Sequence, residues 1–168
     1  MLDYGIHGGA HGHPDKLTLV LYGLGRELVL DPGRLTYSVP EYQTWARTTA
    51  AHSTVAINGE DQREDTGRVL LFRDTPLYSA MLAQSDGAYP GYALKRFLLL
   101  TDRLLVDVFA VSGTQPARLD WFLHARGTPT VQPPLPEKTG ALGDKNGYQH
   151  LLLTHQGAGA AQLPVTFT

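Results

Sequence analysis

The chain has 168 residues, 42% hydrophobic and 18% charged, with a formal net charge of −2. That length suits one domain with a real core, roughly 70% of its unfolded-chain surface being buried at this size. The near-neutral balance leaves no electrostatic footprint for nucleic acid or an anionic membrane. No apolar run approaches the ~20 residues that a membrane-spanning helix needs, and the absence of cysteine excludes disulfides, thiolate nucleophiles and cysteine-ligated zinc. The opening Met1-Leu2-Asp3-Tyr4-Gly5 lacks the basic-then-apolar pattern of a secretory signal.

Strand signals dominate from the N-terminus onward. Leu17 to Tyr22 and Glu27 to Leu30 are apolar and β-prone, and Gly23-Leu24-Gly25 between them predicts a hairpin. Asp31-Pro32-Gly33 ends the second strand, because proline cannot donate to a ladder and glycine tolerates positive φ. Pro40 to Thr48 is the one stretch with room for a short helix. Ser53 to Ile57 runs into Asn58-Gly59, a strong hairpin-turn signal. Further strands are expected over 69–73, 78–83, 92–100, 104–111, 119–124 and 149–154, with Thr101-Asp102-Arg103 as a tight turn. Thr128 to Gly147 is rich in proline and glycine and is read as a long surface loop. Many short strands with frequent turn signals predict an all-β antiparallel sandwich forming one domain over 1–168.

Histidines and one aspartate carry the chemical signal. His7, His11 and His13 crowd a glycine-rich N-terminal segment, and His52 precedes a strand. Imidazole nitrogen with carboxylate oxygen suits zinc, so Asp31 and His52 can complete a set with His13. Surface or hydrogen-bonded histidines in a glycine loop are the plainer alternative. Gly5 followed by His11-Gly12-His13 also fits the start of a cupin metal motif. That motif next asks for a glutamate where this chain has Leu17 and Thr18. Arg96 and Asp107, both inside apolar strands, suggest a structural ion pair. Trp45 and Trp121 are expected in the core, and His124 as a hydrogen-bonded core histidine.

Three segments read in order point further. His11-Gly12-His13-Pro14-Asp15-Lys16, then Asp31-Pro32-Gly33, then Thr48-Thr49-Ala50-Ala51-His52-Ser53-Thr54-Val55 with Asn58-Gly59, resemble the heparinase II/III-like polysaccharide lyases. Ser53 stands where the family usually has asparagine, and Asn58 where it usually has aspartate. The resemblance covers about residues 2 to 155.

The resemblance implies a fold and a reaction. Family members join an N-terminal α/α toroid to a C-terminal antiparallel β-sandwich, with the cleft between them. They cleave uronic-acid polysaccharides such as heparan sulfate or alginate by β-elimination. By matching positions, His11 is the cleft histidine, and His13, Asp31 and His52 are ligands of a structural zinc. Tyr37 and Tyr42 lie in the segment that supplies a cleft tyrosine, and His7 is a candidate substrate contact. The resemblance further implies that the toroid is absent from this chain, so that the chain alone has little or no lyase activity. The face normally turned to the toroid is then expected to be apolar or histidine-rich and able to self-associate. Relatives are bacterial, and a periplasmic or secreted location is the corresponding expectation. Two rival functions stand beside this one: a non-catalytic carbohydrate-binding or structural sandwich, and a cupin-like metalloprotein.

Overall fold

A computed structural model describes residues 1–158 and 162–168. Its centre is a four-stranded antiparallel sheet in the order β4 (Arg68–Asp74), β5 (Ser79–Tyr89), β6 (Tyr92–Leu100), β7 (Leu105–Gly113). The two inner connections are short. Pro90 and Gly91 join β5 to β6, with Gly91 at φ +82°, and the predicted turn at 101–103 joins β6 to β7 through Thr101 N–H bonded to Leu104 O at 2.8 Å. Along β6, Leu94, Arg96 and Leu98 are buried while Lys95 is exposed. This is the period-2 pattern of a sheet with one face on a core.

That face packs on a layer of shorter pieces. β1 (Leu21–Gly23) and β2 (Arg26–Val29) form the predicted hairpin, turning through Leu24 and Gly25 at positive φ. β3 (Val55–Ile57) pairs with β8 (Leu119–Trp121). Leu2, Leu17, Leu19, Val29, Val55 and Ile57 from this layer meet Ala83, Leu94 and Leu98 of the sheet. Ala56, on the opposite side of β3, joins Ala50, Phe122 and Tyr148 in a second small cluster. The architecture is the all-β antiparallel sandwich that the sequence predicts. On the sheet's outer face, Leu71, Val106 and Val108 are exposed.

Four expectations are corrected. The strand expected from Leu17 shrinks to β1, because Leu17 has φ +62°, outside any strand geometry. The helix sought in Pro40–Thr48 is a single π-turn, Tyr42–Ala46, closed by Arg47 N–H on Tyr42 O at 3.0 Å. The loop over 128–147 contains β9 (Pro129–Val131) and β10 (Glu137–Ala141). Their partners β12 (Val165–Phe167) and β11 (Leu152–His155) lie further along the chain, so local patterning did not reveal them. Trp121 is 51% exposed and not part of the core.

Arg96 is wholly buried inside the sandwich. Its Nε donates to Asp107 Oδ1 at 2.9 Å and its Nη2 to Oδ2 at 2.5 Å. Nη1 donates across the core to Leu17 O at 2.7 Å and Ser53 O at 2.5 Å. Removing this side chain strands the Asp107 carboxylate and the Leu17 carbonyl without donors, while Ser53 O keeps only the Leu19 N–H at 3.2 Å. Arg96→Met is expected to lower unfolding free energy by about 3–5 kcal/mol, or abolish folding. Arg103→Met, whose salt bridge with Asp102 is exposed, should stay within about 0.5 kcal/mol. Urea unfolding followed by circular dichroism checks both.

Candidate active site

The site sits at the end of the sandwich where irregular segments meet. Residues 9–11 form one 3-10 turn, entered through Gly8 at φ +81° and left through extended Gly12. With Gly12 extended, His11 and His13 bracket it. His11 is exposed and stacks on Tyr37, ring centroids 6.0 Å apart. Its Nδ1 is hydrogen-bonded to the Tyr37 hydroxyl. Tyr37 packs edge-on against Tyr42 at 4.6 Å, and Tyr42 against His13 at 6.4 Å. His13 in turn stands 5.3 Å from the ring of His52. A continuous run of rings thus leads from a solvent-facing imidazole to a fully buried one. Tyr37 is 50% exposed and Tyr42 only 4%, so Tyr37 presents its hydroxyl to solvent and Tyr42 packs beneath it.

At the buried end, His52 Nδ1 lies 2.7 Å from Asp31 Oδ2, and His52 Nε2 lies 3.2 Å from Ala46 O. The 2.7 Å contact is a hydrogen bond in which a protonated Nδ1 donates to the Asp31 carboxylate. Burial and the neighbouring His52 ring push the His13 imidazole below its ordinary pKa, against the opposing pull of Asp15 and Asp31. Burial works against charge on Asp31, but the hydrogen bond and charge of His52 and the Gly33 amide outweigh it and hold the carboxyl below its usual range. Two imidazoles and a carboxylate form a donor set that suits zinc. Among the described residues, no three such side chains stand in ready-made cage geometry; the His52–Asp31 pair is formed and His13 stands beside it.

A pocket of about 180 Å³ opens over this cluster, lined by His11, His13, Arg34, Tyr37 and Tyr42. Arg34 is a residue that sequence reasoning passed over. Its guanidinium lies 5.5 Å from the Tyr37 ring, and its only signal was its place directly after Asp31-Pro32-Gly33. Six of the seven candidates therefore fall in one cluster. His7 does not: its side chain is 10% exposed, and it lies outside the pocket lining, beside Glu64. His124 is hydrogen-bonded as expected, its Nε2 being 2.9 Å from Ala50 O, but it is half-buried at the edge of the core rather than in it.

Sequence separation shows why local structure carries the site. Gln62, buried, accepts from Lys16 N–H through Oε1 at 2.6 Å and donates to Lys16 O at 3.2 Å. Thr54 Oγ1 donates to the same carbonyl at 2.7 Å, and Thr49 Oγ1 to Pro14 O at 2.8 Å. The strand-less stretch after His13 is therefore hydrogen-bonded by side chains as well as by backbone pairing with Asp3.

These shifts have a pH consequence. His13 and His124 both hold protons less tightly when folded, burial being the first cause for each. The unfolded chain then binds more protons below pH about 6.5, so stability is full above that value and falls as pH drops. The depressed Asp31 carboxyl adds a further loss below pH about 4. With chelator present, urea midpoints should decline from pH about 6.5 downward, and His13→Gln should flatten part of that slope. A midpoint constant from neutrality to pH about 5 would contradict this assignment.

Comparison with known proteins agrees with this architecture. The family model described as "Heparinase II/III-like, C-terminal" matches residues 1–166. An "Alginate lyase" of Stenotrophomonas maltophilia is 31% identical over 179 residues, covering 88% of this chain and 24% of that protein. An "Exo-oligoalginate lyase" of Saccharophagus degradans is 31% identical over 175 residues, covering 87% of this chain and 24% of that protein. The chain therefore spans about a quarter of the length of these curated relatives. Among solved structures, a heparinase III gene product superposes with a TM-score of 0.68 at 21% identity, covering 77% of this chain and 21% of that one. The heparan sulfate lyase HepC of Pedobacter heparinus superposes with a TM-score of 0.65 at 20% identity over the same shares. These likenesses displace the cupin alternative. A family model that spans nearly the whole chain, on a sandwich of matching fold, means that this chain belongs to the heparinase II/III-like family as its C-terminal domain.

Proposed function

We propose that the chain is the β-sandwich wall of a lyase that cleaves uronic-acid polysaccharide by β-elimination. The observation that carries this reading is the hydrogen bond between His11 Nδ1 and the Tyr37 hydroxyl, in a pocket shared with Arg34. β-Elimination breaks the C5–H bond, forms the C4=C5 double bond and releases the glycosidic oxygen from C4. One proton must leave carbon and one must reach the departing oxygen. An imidazole that shares a proton with a phenol suits both tasks near neutral pH. His11 takes the C5 proton on its Nε2 while Tyr37 gives its hydroxyl proton to the departing oxygen, and the Nδ1 proton of His11 then passes to the Tyr37 phenolate, which restores both groups. The C5 proton is acidic only while the adjacent carboxylate is neutralised, and the exposed Arg34 guanidinium beside Tyr37 offers that charge.

His13, Asp31 and His52 are the residues we assign to zinc. The adjacency of His52 and Asp31, with the His13 ring 5.3 Å from that of His52, supports the assignment. Bound there, the ion would serve as a structural brace. Because His13 is two residues from His11, a fixed His13 fixes the turn that presents His11. The opposite cleft wall, by the same reading, comes from an α/α toroid, the partner of this domain in the longer relatives. The substrate class is an acidic polysaccharide or oligosaccharide, and the place of work is periplasmic or secreted.

Two measurements test this. In a full-length parent, Tyr37→Phe should lower kcat by about 10²–10⁴-fold, whereas Tyr42→Phe should cost less than about tenfold; the ultraviolet absorbance of the unsaturated product reports both. The 168-residue chain alone should give almost no product from heparan sulfate or alginate, since half a cleft forfeits positioning. An undiminished Tyr37→Phe rate sinks the dyad, and robust turnover by the chain alone sinks the divided cleft. Elemental analysis should find about one zinc per chain, lost in Asp31→Ala and His52→Ala, with a lower melting temperature after chelation. A purified chain that takes up no zinc on titration would refute the metal assignment.

A further inference from the structure

We propose that His7 and Glu64 form a strut that holds the His11 turn in register with Tyr37, making His7 a positioning residue. This rests on the dyad reading above.

The stretch from Ile6 to Gly12 has little reason to hold one shape. It contains three glycines, its Ile6 is 82% exposed, and its 3-10 turn buries no residue. Its own backbone bonds are local: His11 N–H to Gly8 O at 3.3 Å and Gly12 N–H to Gly9 O at 3.0 Å. Glycines lose the most conformational freedom on ordering, so such a turn needs an outside anchor. Among the described residues, two polar side-chain contacts tie this stretch to the rest of the molecule. One is His11 to Tyr37. The other is His7 Nε2 to Glu64 Oε1, at 3.4 Å.

His7 is built into the base of the turn. Its side chain is nine-tenths buried, and among the described residues neither ring nitrogen has a hydrogen-bond partner. A polar ring buried in that state is costly unless it is stabilised by charge. The Glu64 carboxylate at ion-pair distance supplies that charge, while the rest of Glu64 stays 73% exposed. The turn closes tightly over His7. A Cβ on Gly12 would lie 1.6 Å from His7 O and 2.8 Å from its Cδ2, so only glycine fits there. The far end of the strut is firm. Arg63, next to Glu64, donates its amide to Ala88 O at 2.9 Å, and Gln62 is buried against Lys16. The strut thus links the mobile-prone turn to the sheet through Ala88 of β5.

A ¹⁵N-labelled sample of the whole chain tests this by long-range ¹H–¹⁵N correlation of the His11 ring. Tyr37→Phe supplies the reference, moving the Nδ1 resonance to that of an imidazole with no phenol partner. Glu64→Gln and His7→Ala should each move His11 Nδ1 at least halfway to that reference. For Glu64→Gln the melting temperature should stay unchanged, because Glu64 is mostly exposed. His7→Gln, which keeps a donor toward Glu64, should restore most of the wild-type signal. In a full-length parent, Glu64→Gln should lower kcat about tenfold with KM within twofold. If Tyr37→Phe moves the resonance and neither strut variant does, the proposal is overturned. If Tyr37→Phe itself leaves His11 unmoved, the dyad reading fails and the strut falls with it. Should His7→Ala not fold, Glu64→Gln decides alone.

Discussion

A single buried guanidinium joins the two layers of this sandwich. Arg96 arises from the inner face of β6, binds Asp107 of β7 through two donors, and reaches across to the carbonyls of Leu17 and Ser53. Both acceptors lie near the site: Ser53 follows His52 directly, and Leu17 is four residues beyond His13. The charge is buried at a high desolvation cost, offset only because every available partner is aligned. Ser53 O and Leu17 O therefore cannot drift without stranding it. The same interaction that organises the core also sets how far apart the segments bearing His13 and His52 stand.

The segment after His13 shows how an irregular backbone can be as well defined as a strand. Its carbonyls accept from Thr49, Thr54, Gln62 and Arg96. Leu17 sits fully buried at φ +62°, a conformation that costs a branched residue energy and persists only where its surroundings over-determine it. Here four side chains do so. The chemistry is thereby carried by loops, as is usual, but these loops are bonded inward to a rigid sheet.

The site itself runs from wet to dry. At the solvent end an exposed imidazole is hydrogen-bonded to a phenol beside the exposed Arg34 guanidinium. At the dry end the buried His52 imidazole is hydrogen-bonded to the Asp31 carboxylate. Tyr42 and His13 connect the two ends by ring contacts. Order at the buried end is thus transmitted to the exposed end through packed, nearly incompressible groups.

Much of this was written in the chain order of residue types. Alternation along β6, the Asn58-Gly59 turn and the glycine break between β1 and β2 follow from local sterics, which any reader of the sequence can apply. The order of His11, His13, Asp31 and His52 sufficed for the family. What no local rule reveals is anything set by partners far along the chain. The β9 and β10 strands exist because β12 and β11 return to pair with them. Leu17 leaves the strand region at a point where Arg96, 79 residues on, bonds its carbonyl and Asp3 accepts its N–H. Tyr37 and Tyr42 look alike in sequence, and only burial distinguishes the exposed phenol from the packed one. His7, close to His11 in sequence, faces Glu64 because the turn folds back over it. Short-range sterics decide element type, whereas long-range packing and electrostatics decide which side chains meet, and the tertiary structure alone settles the latter.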